Sequence, residues 1–458
     1  MTAYRMPASG GAPTARDDGE VARTTMRQVS VRVLPLLFAL FVFNYIDRNN
    51  AAMAALQMNR DLGLSARAYA FGASVFFVGY AIFEVPSNLI LARVGARRWM
   101  ARIVITWGLI ASAMAFIRTP AQFYAMRFLL GLSEAGFFPG FVYYLSQWFP
   151  ATQRARALSR FIMAVPLSAL VGNPVAGWLM GFDGSLGLHG WQWVFFVQGI
   201  PSVLLGLGVL ALLTDYPEQA RWLSDEQRAW LTERLRREAD DSTALNGVPP
   251  LRALAHPMVW LVAGLYFLYC TTFYGYIFWA PLFVRDALSA TPVVTGVITG
   301  LIACVAAAAS LASGASSDRT GDRCVHMAAG MTLVTLGYLS AALLPNAVGR
   351  VTGLGLVLAG NMTFAVPFWC LPSMLLRGSA AAAGIALVNS VGNVGGFVAP
   401  NVIGAVKDAT GSLDSAFLLF AVVALAAAVV SLAFRRATVF ASRPGLPHRL
   451  APIASAIE

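Results

Sequence analysis

Twelve stretches of this 458-residue chain are too long and too apolar to be solvated by anything but lipid. They run near 32–56, 67–92, 99–117, 121–149, 156–181, 191–214, 256–284, 291–316, 324–344, 347–376, 379–406 and 414–434. Most comfortably exceed the ~20 residues that a helix needs to cross hydrocarbon. None alternates with the period of two that a membrane strand requires. The expected fold is therefore an all-α membrane protein of twelve transmembrane helices in two six-helix bundles. Composition agrees: Asp, Glu, Lys and Arg make up 12% of the chain, about half the ~25% usual in soluble domains.

The formal charge of +11 would suggest nucleic acid in a soluble domain, but its placement argues otherwise. With the N-terminus inside, the inner segments hold Arg5, Arg16, Arg23, Arg27 and Arg32, then Arg93, Arg97, Arg98 and Arg102, then Arg154, Arg156 and Arg160. Further inner segments hold Arg221, Arg228, Arg234, Arg236, Arg237 and Arg252, then Arg319, Arg323 and Arg377, and finally Arg435, Arg436, Arg443 and Arg449. The outer loops hold only Arg60, Arg67, Arg118, Arg285, Arg350 and Lys407. By the positive-inside rule both termini face the cytoplasm, and in a bacterium the membrane is the inner one. The charge is a topology signal, so the bilayer and no nucleic acid is the expected partner.

The expected segments are a disordered cytoplasmic tail (1–31), a first bundle (32–214), a cytoplasmic linker (215–255), a second bundle (256–436) and a tail (437–458). No short apolar core with a cleavage site precedes the first span, which reads as an uncleaved signal. The linker shows helical periodicity from Leu223 to Leu235 and reads as an interfacial helix, with a regulatory docking site as the alternative. An internal repeat supports two halves. Arg93-Val94-Gly95-Ala96-Arg97 and Arg319-Thr320-Gly321-Asp322-Arg323 both have the form R-x-G-x-R at equivalent cytoplasmic turns. Glycine permits the tight turn, and arginine suits a helix C-terminus. Paired halves of this kind describe transporters with a site at their interface.

These turns resemble the G-x-L-A-D-R-x-G-R-R signature of the major facilitator superfamily. GASSDRTGDR (314–323), with Asp318, is close, whereas NLILARVGAR (88–97) has Ala92 in the aspartate position. NYIDRNN (44–50), FEVPSNLILARVGARRW (83–99), RFLLGLSEAGFFPG (127–140), LHGWQWVFFVQGIP (188–201) and AAAGIALVNSVGNVGGFVAP (381–400) resemble the anion:cation symporter family, with its bacterial tartrate, hydroxyphenylacetate and phthalate permeases. The resemblance implies the major facilitator fold and transport of organic anions. Within it, residues matching Asp47 and Glu134 are linked to proton coupling, the one matching Arg127 to anion binding, and the one matching Tyr80 to the cavity. Gln198 stands where many relatives carry glutamate.

From the residues alone, the informative groups are the ionisable ones inside spans, each costing roughly 3 kcal/mol at mid-bilayer unless it finds a partner or water. They are Asp47, Arg48, Glu84, Arg127 and Glu134, all in the first half. Asp47 and Arg127 lie at similar depth, which allows them to meet. Arg127, Gly131, Glu134 and Phe138 share one helix face. Either the charges form a permanent lattice of ion pairs, or they work. In the working case Arg48 and Arg127 draw the carboxylate of a substrate while Asp47 and Glu134 carry protons. Two ion pairs would leave one acid over, and desolvation favours the protonated form of an unpaired acid. Glu84, just before Pro86, reads as structural or gating, along with Arg93, Gly95, Arg97, Asp318, Arg319, Gly321 and Arg323.

The opposite wall offers Trp369 and Ser373, and Asn389 and Asn393, each pair four residues apart. The amides suit ligand oxygens and equally suit interhelical hydrogen bonds. Tyr269, Phe273 and Tyr276, with Trp279 beyond, read as packing. Cys270, Cys304, Cys324 and Cys370 are expected as free thiols. The histidines His189, His256, His326 and His448 are isolated, so no metal site or catalytic centre is expected. No Walker motif occurs, so no cofactor beyond the coupling proton is expected. The reading is a monomeric proton-coupled importer of a small organic acid anion, not an enzyme. The alternatives are an uncoupled facilitator or exchanger and a nutrient sensor. Hydroxy acids would suit the amides, aromatic acids Trp369 and Tyr80.

Overall fold

The computed structural model describes residues 15–150, 153–154, 157, 161, 163–244, 257–371 and 378–441. Their regular structure is entirely helical. The first half comprises α1 (Ala15–Asp61), α2 (Ala66–Val94), α3 (Ala96–Ala113), α4 (Pro120–Glu134), α5 (Phe137–Trp148), α6 (Ala164–Leu179) and α7 (Gly190–Leu212). After α8 (Asp225–Ala244) come α9 (Pro257–Leu288), α10 (Pro292–Thr320), α11 (Arg323–Leu343), α12 (Ala347–Phe368), α13 (Gly378–Thr410) and α14 (Asp414–Ala441). Among the described residues, twelve stretches are long and apolar enough to cross a membrane, α4 and α5 forming one of them together.

Two elements depart from the sequence expectation. The first helix begins at Ala15, so residues 15–31 are helical rather than a disordered tail. Met26, Val29 and Val33 recur on one face and are buried, and α1 packs on α8. Burying that stripe outweighs the polarity of the segment. Trp222, leading into α8, stacks on Trp148 at 5.4 Å and 15° and carries Arg32 over its ring at 5.2 Å. The second departure is a break in the fourth span at Ala135–Gly136. Gly136 is left-handed (φ 84°), and a Cβ there would sit 2.2 Å from Ser87 Oγ. Only glycine fits this turn.

Both R-x-G-x-R turns form as expected, with positive φ at Gly95 (93°) and Gly321 (70°). Arg323 donates to Asp318 (2.6 Å) and Ser317 (3.0 Å), while Arg93 and Arg319 are exposed. The first turn has Ala92 in place of the acid, and Asp215, after α7, supplies a carboxylate instead. Its Oδ1 accepts the Arg97 backbone N–H at 2.8 Å, and the Arg97 guanidinium donates to the Leu210 carbonyl.

Within the first half α3 packs on α7 and α2 on α4; within the second, α11 lies between α12 and α14. The halves meet along α6–α10, α2–α13 and α1–α9. On the arginine-poor side these seams are tight. The Asp408 carboxylate accepts from the N–H groups of Ala66 (3.1 Å) and Arg67 (2.9 Å) at the start of α2. Arg285 donates to the Leu56 carbonyl at 3.0 Å. Tyr69 donates to the Phe278 carbonyl at 2.9 Å, and Asn401 to Ser74 at 2.7 Å. A Cβ on Gly296 would lie 2.3 Å from the Asn173 carbonyl. Among the described residues, the hydrogen bond between halves nearest the arginine-rich side joins Asn389 to Glu84. The arginine-poor mouth is closed.

Candidate functional site

Successive residues on a helix are turned by about 100°, so Asp47 and Arg48 look in different directions from α1. Arg48 faces the other half. One of its terminal nitrogens pairs with Glu134 Oε1, and the other donates to the Tyr274 hydroxyl of α9 at 3.4 Å. The guanidinium also lies over Phe76, Tyr45 and Tyr80, at 5.1, 5.6 and 5.8 Å from the ring centroids. Glu134 is the last residue of α4, and the break after it ends the helix where its carboxylate meets Arg48.

Arg127 is fully buried and lies 5.1 Å from the same Phe76 ring. One nitrogen donates to the Ala73 carbonyl at 2.9 Å, and its Nε and Nη1 have no partner. Two guanidinium groups thus share one aromatic ring, while Glu134 is the only carboxylate paired to either of them among the described residues. A cation–π contact contributes about 1–2 kcal/mol when desolvated, too little to replace a counter-ion. The arrangement attracts a further negative charge.

Asp47 does not meet Arg127, although depth allows it. It points back into its own half, where Trp107 Nε1–H (3.0 Å) and the Ser202 hydroxyl (2.5 Å) both donate to Oδ2. Oδ1 has no partner. Matched depth says nothing about direction around the helix, and direction decided the pairing. The permanent lattice fails for the same reason: among the described residues the five charges form one ion pair. Among the described residues, Asp47, Glu84 and Arg127 have no charged partner at salt-bridge distance.

Glu84 accepts from Asn389 Nδ2 at 3.2 Å, bridging α2 and α13, so of the two readings of that amide the interhelical hydrogen bond is the one formed. Asn393, one turn on, is half-buried. Tyr80 is buried beside Phe76. Trp369 stands edge-on to Tyr266 at 5.0 Å; Ser373 lies outside the described residues. Tyr269 stacks with both Phe273 and Phe364, as the packing reading expects. Gln198 donates to the Gly172 carbonyl at 3.0 Å.

Sequence reasoning missed Tyr274, Phe76, Trp107 and Ser202. A signal existed for two of them: an indole N–H and a hydroxyl in mid-span both need acceptors. For Tyr274 and Phe76 what matters is which cation they face, and no residue type signals that.

The family model described as Major Facilitator Superfamily matches residues 37–400. A protein named "Putative tartrate transporter" from Agrobacterium vitis is 42% identical over 92% of this chain and 95% of its own. A "Quinolone resistance transporter" from Acinetobacter baumannii is 37% identical over 88% of this chain and 93% of its own. Among solved structures, a bacterial homolog of the human lysosomal transporter Spinster superposes with a TM-score of 0.69 at 16% identity, over 88% of this chain and 95% of that one. Fold, family model and relatives agree: the chain is a multi-pass membrane transporter and belongs to the Major Facilitator Superfamily.

Proposed function

We propose that this transporter brings a small organic acid anion into the cell together with protons. The observation that carries the reading is the pair of arginines sharing Phe76 with one carboxylate between them. A substrate carboxylate offers Arg48 the same planar contact that Glu134 does. Two charged carboxylates on one guanidinium would repel, so the anion displaces Glu134 when Glu134 is protonated. Loss of that proton returns Glu134 to Arg48 and expels the anion. Asp47, buried without a cation, is the second proton site.

The contact of Arg48 with Tyr274 ties this exchange to the other half, so the halves (32–214 and 256–436) rock about the site in alternating access. The arginine-rich side faces the cytoplasm by the positive-inside rule, in the inner membrane of a bacterium. The monomer suffices, since each half supplies part of the site, and the proton is the only cofactor. The name of the Agrobacterium vitis relative favours a hydroxy acid.

The test is purified protein in liposomes with an internal pH dye, challenged with hydroxy, sugar and aromatic acids against protein-free vesicles. Acidification with one acid, absent in Asp47→Asn, is the expected result. Equilibration of labelled acid without acidification would instead identify a facilitator or exchanger.

A further inference from the structure

Away from the charged centre, a second basic cluster lies where α2 and α3 meet at the arginine-rich end. Arg98, Arg102 and Leu109 recur at i, i+4 and i+11 on α3, one face of the helix. Arg98 and Leu109 are exposed, whereas Ala101 and Gly108, a quarter-turn away, pack on α7. A Cβ on Gly108 would lie 2.9 Å from Val203, and one on Gly206 would lie 3.3 Å from the Ala101 carbonyl. The stripe through Arg98, Arg102 and Leu109 therefore faces lipid. Arg102 stands six residues beyond the start of α3, about 9 Å along it. Its guanidinium turns back toward that start and lies over Trp99 at 4.2 Å, with Phe83 of α2 at 5.7 Å. Trp99 Nε1 donates to Ser87 Oγ of α2 at 3.0 Å, which fixes the indole as a floor between the two helices. Arg102 Nη1 has no partner, and among the described residues no carboxylate lies within salt-bridge distance of it.

The turn itself does not require these groups. In the second R-x-G-x-R copy, Cys324, Val325 and Ala328 stand where the first has Arg98, Trp99 and Arg102. A topology signal needs basic residues only beside the spans, whereas an arginine on a lipid-facing stripe is costly unless something meets it. Stacking on Trp99 still leaves its charge without a counter-ion. We propose that Arg98 and Arg102, over the Trp99 floor, bind the headgroup of an anionic phospholipid in the leaflet on the arginine-rich side. A phosphodiester accepts two parallel N–H bonds from one guanidinium. Arg102 reaches headgroup level by snorkelling, and the acyl chains continue along the stripe past Leu109. Basic pockets between spans near the membrane surface suit such headgroups. The floor is tied to Ser87, which also packs against Gly136 at the break after Glu134, so a bound headgroup braces the part of α2 on which that break rests. The inference does not depend on which anion is carried.

The experiment titrates purified full-length protein in a non-ionic detergent with phosphatidylglycerol, phosphatidylcholine or soluble glycerol phosphate, and reads the thermal unfolding midpoint at each concentration. Phosphatidylglycerol is expected to raise the midpoint saturably, and the other two to leave it unchanged. The concentration giving half the rise should increase about fivefold in Arg98→Gln and in Arg102→Gln. It should keep the wild-type value in Arg234→Gln, which removes the same charge from the exposed face of α8. Each rise is measured from the variant's own lipid-free midpoint, so a change in basal stability does not enter, and exposed Arg98 gives the answer if Arg102→Gln does not fold. No rise with phosphatidylglycerol, or an equal rise with phosphatidylcholine, overturns the anionic headgroup. An equal rise with glycerol phosphate overturns the lipid. An equal loss in Arg234→Gln overturns the site, since it would show only general attraction to the basic side.

Discussion

At the scale of residues, one carboxylate facing two guanidinium groups sets the behaviour of the centre. Removing one member of a buried ion pair leaves the other uncompensated, typically at a cost of about 3–5 kcal/mol. Glu134→Gln is a sharper probe than Arg48→Ala because it frees the arginines for a ligand. The variant is expected to bind the anion across the pH range and to exchange labelled for unlabelled acid, yet to lose accumulation driven by a pH gradient. Counterflow and gradient-driven uptake, measured in the same liposomes, separate the two effects. Accumulation at the wild-type level would remove Glu134 from proton coupling. The pairing was only half legible in the sequence. That charges sat in spans 1, 2 and 4 was plain, and so was the surplus acid. That Arg48 rather than Arg127 holds Glu134, and that Asp47 turns to Trp107 and Ser202, depends on helix rotation, which residue types alone do not specify.

At the scale of elements, the contacts with the clearest consequences lie at the arginine-rich ends of the spans. The linker grips the first half through Trp222, stacked on Trp148 and capped by Arg32. Trp222→Ala removes both ring contacts and should cost about 2 kcal/mol, read as a lower midpoint of thermal unfolding in detergent. A midpoint equal to that of the wild type would show that the linker is only loosely held. Asp322 caps α11 by accepting the Val325 N–H at 3.1 Å and is bonded by Arg435 of α14 at 2.6 Å. Partial burial would raise its carboxyl pKa, but the Val325 amide and Arg435 prevail and hold it below the usual range. The charged form is therefore the one favoured by folding. Its contribution is complete above about pH 4 and fades as pH falls further. Asp322→Asn should destabilise by about 1 kcal/mol at neutral pH, and its gap from wild type should narrow as pH falls below the usual carboxylate range, as thermal unfolding at neutral and acidic pH would show.

For the whole molecule, the seam between α6 and α10 on the arginine-poor side is closed so tightly that only glycine fits at position 296. Gly296→Leu would wedge that seam and hold the mouth open. Thr299→Cys in this background is expected to react with a membrane-impermeant maleimide from the arginine-poor side several-fold faster than in an otherwise unaltered Thr299→Cys protein, and transport should stop. Equal labelling rates would mean that the seam does not open during the cycle. The same seam positions Asn173 of α6 against Thr299 of α10, to whose hydroxyl it donates at 3.1 Å.

What the sequence determined by itself was everything that follows from solvation and from local backbone geometry. Apolar runs can be solvated only by lipid, so the twelve spans were readable from composition and length. The R-x-G-x-R turns were readable because Gly95 and Gly321 need positive φ, a property of two or three adjacent residues. Tertiary structure decided the rest, because it depends on which distant groups come to face one another. Asp215 replaces the acid missing at Ala92 from more than a hundred residues away. The break after Glu134 is accommodated by Ser87 of α2. Arg48 and Arg127 become a single positive centre because both helices turn their guanidinium groups to Phe76, and rotation about a helix axis is set by packing rather than by the order of residues along it.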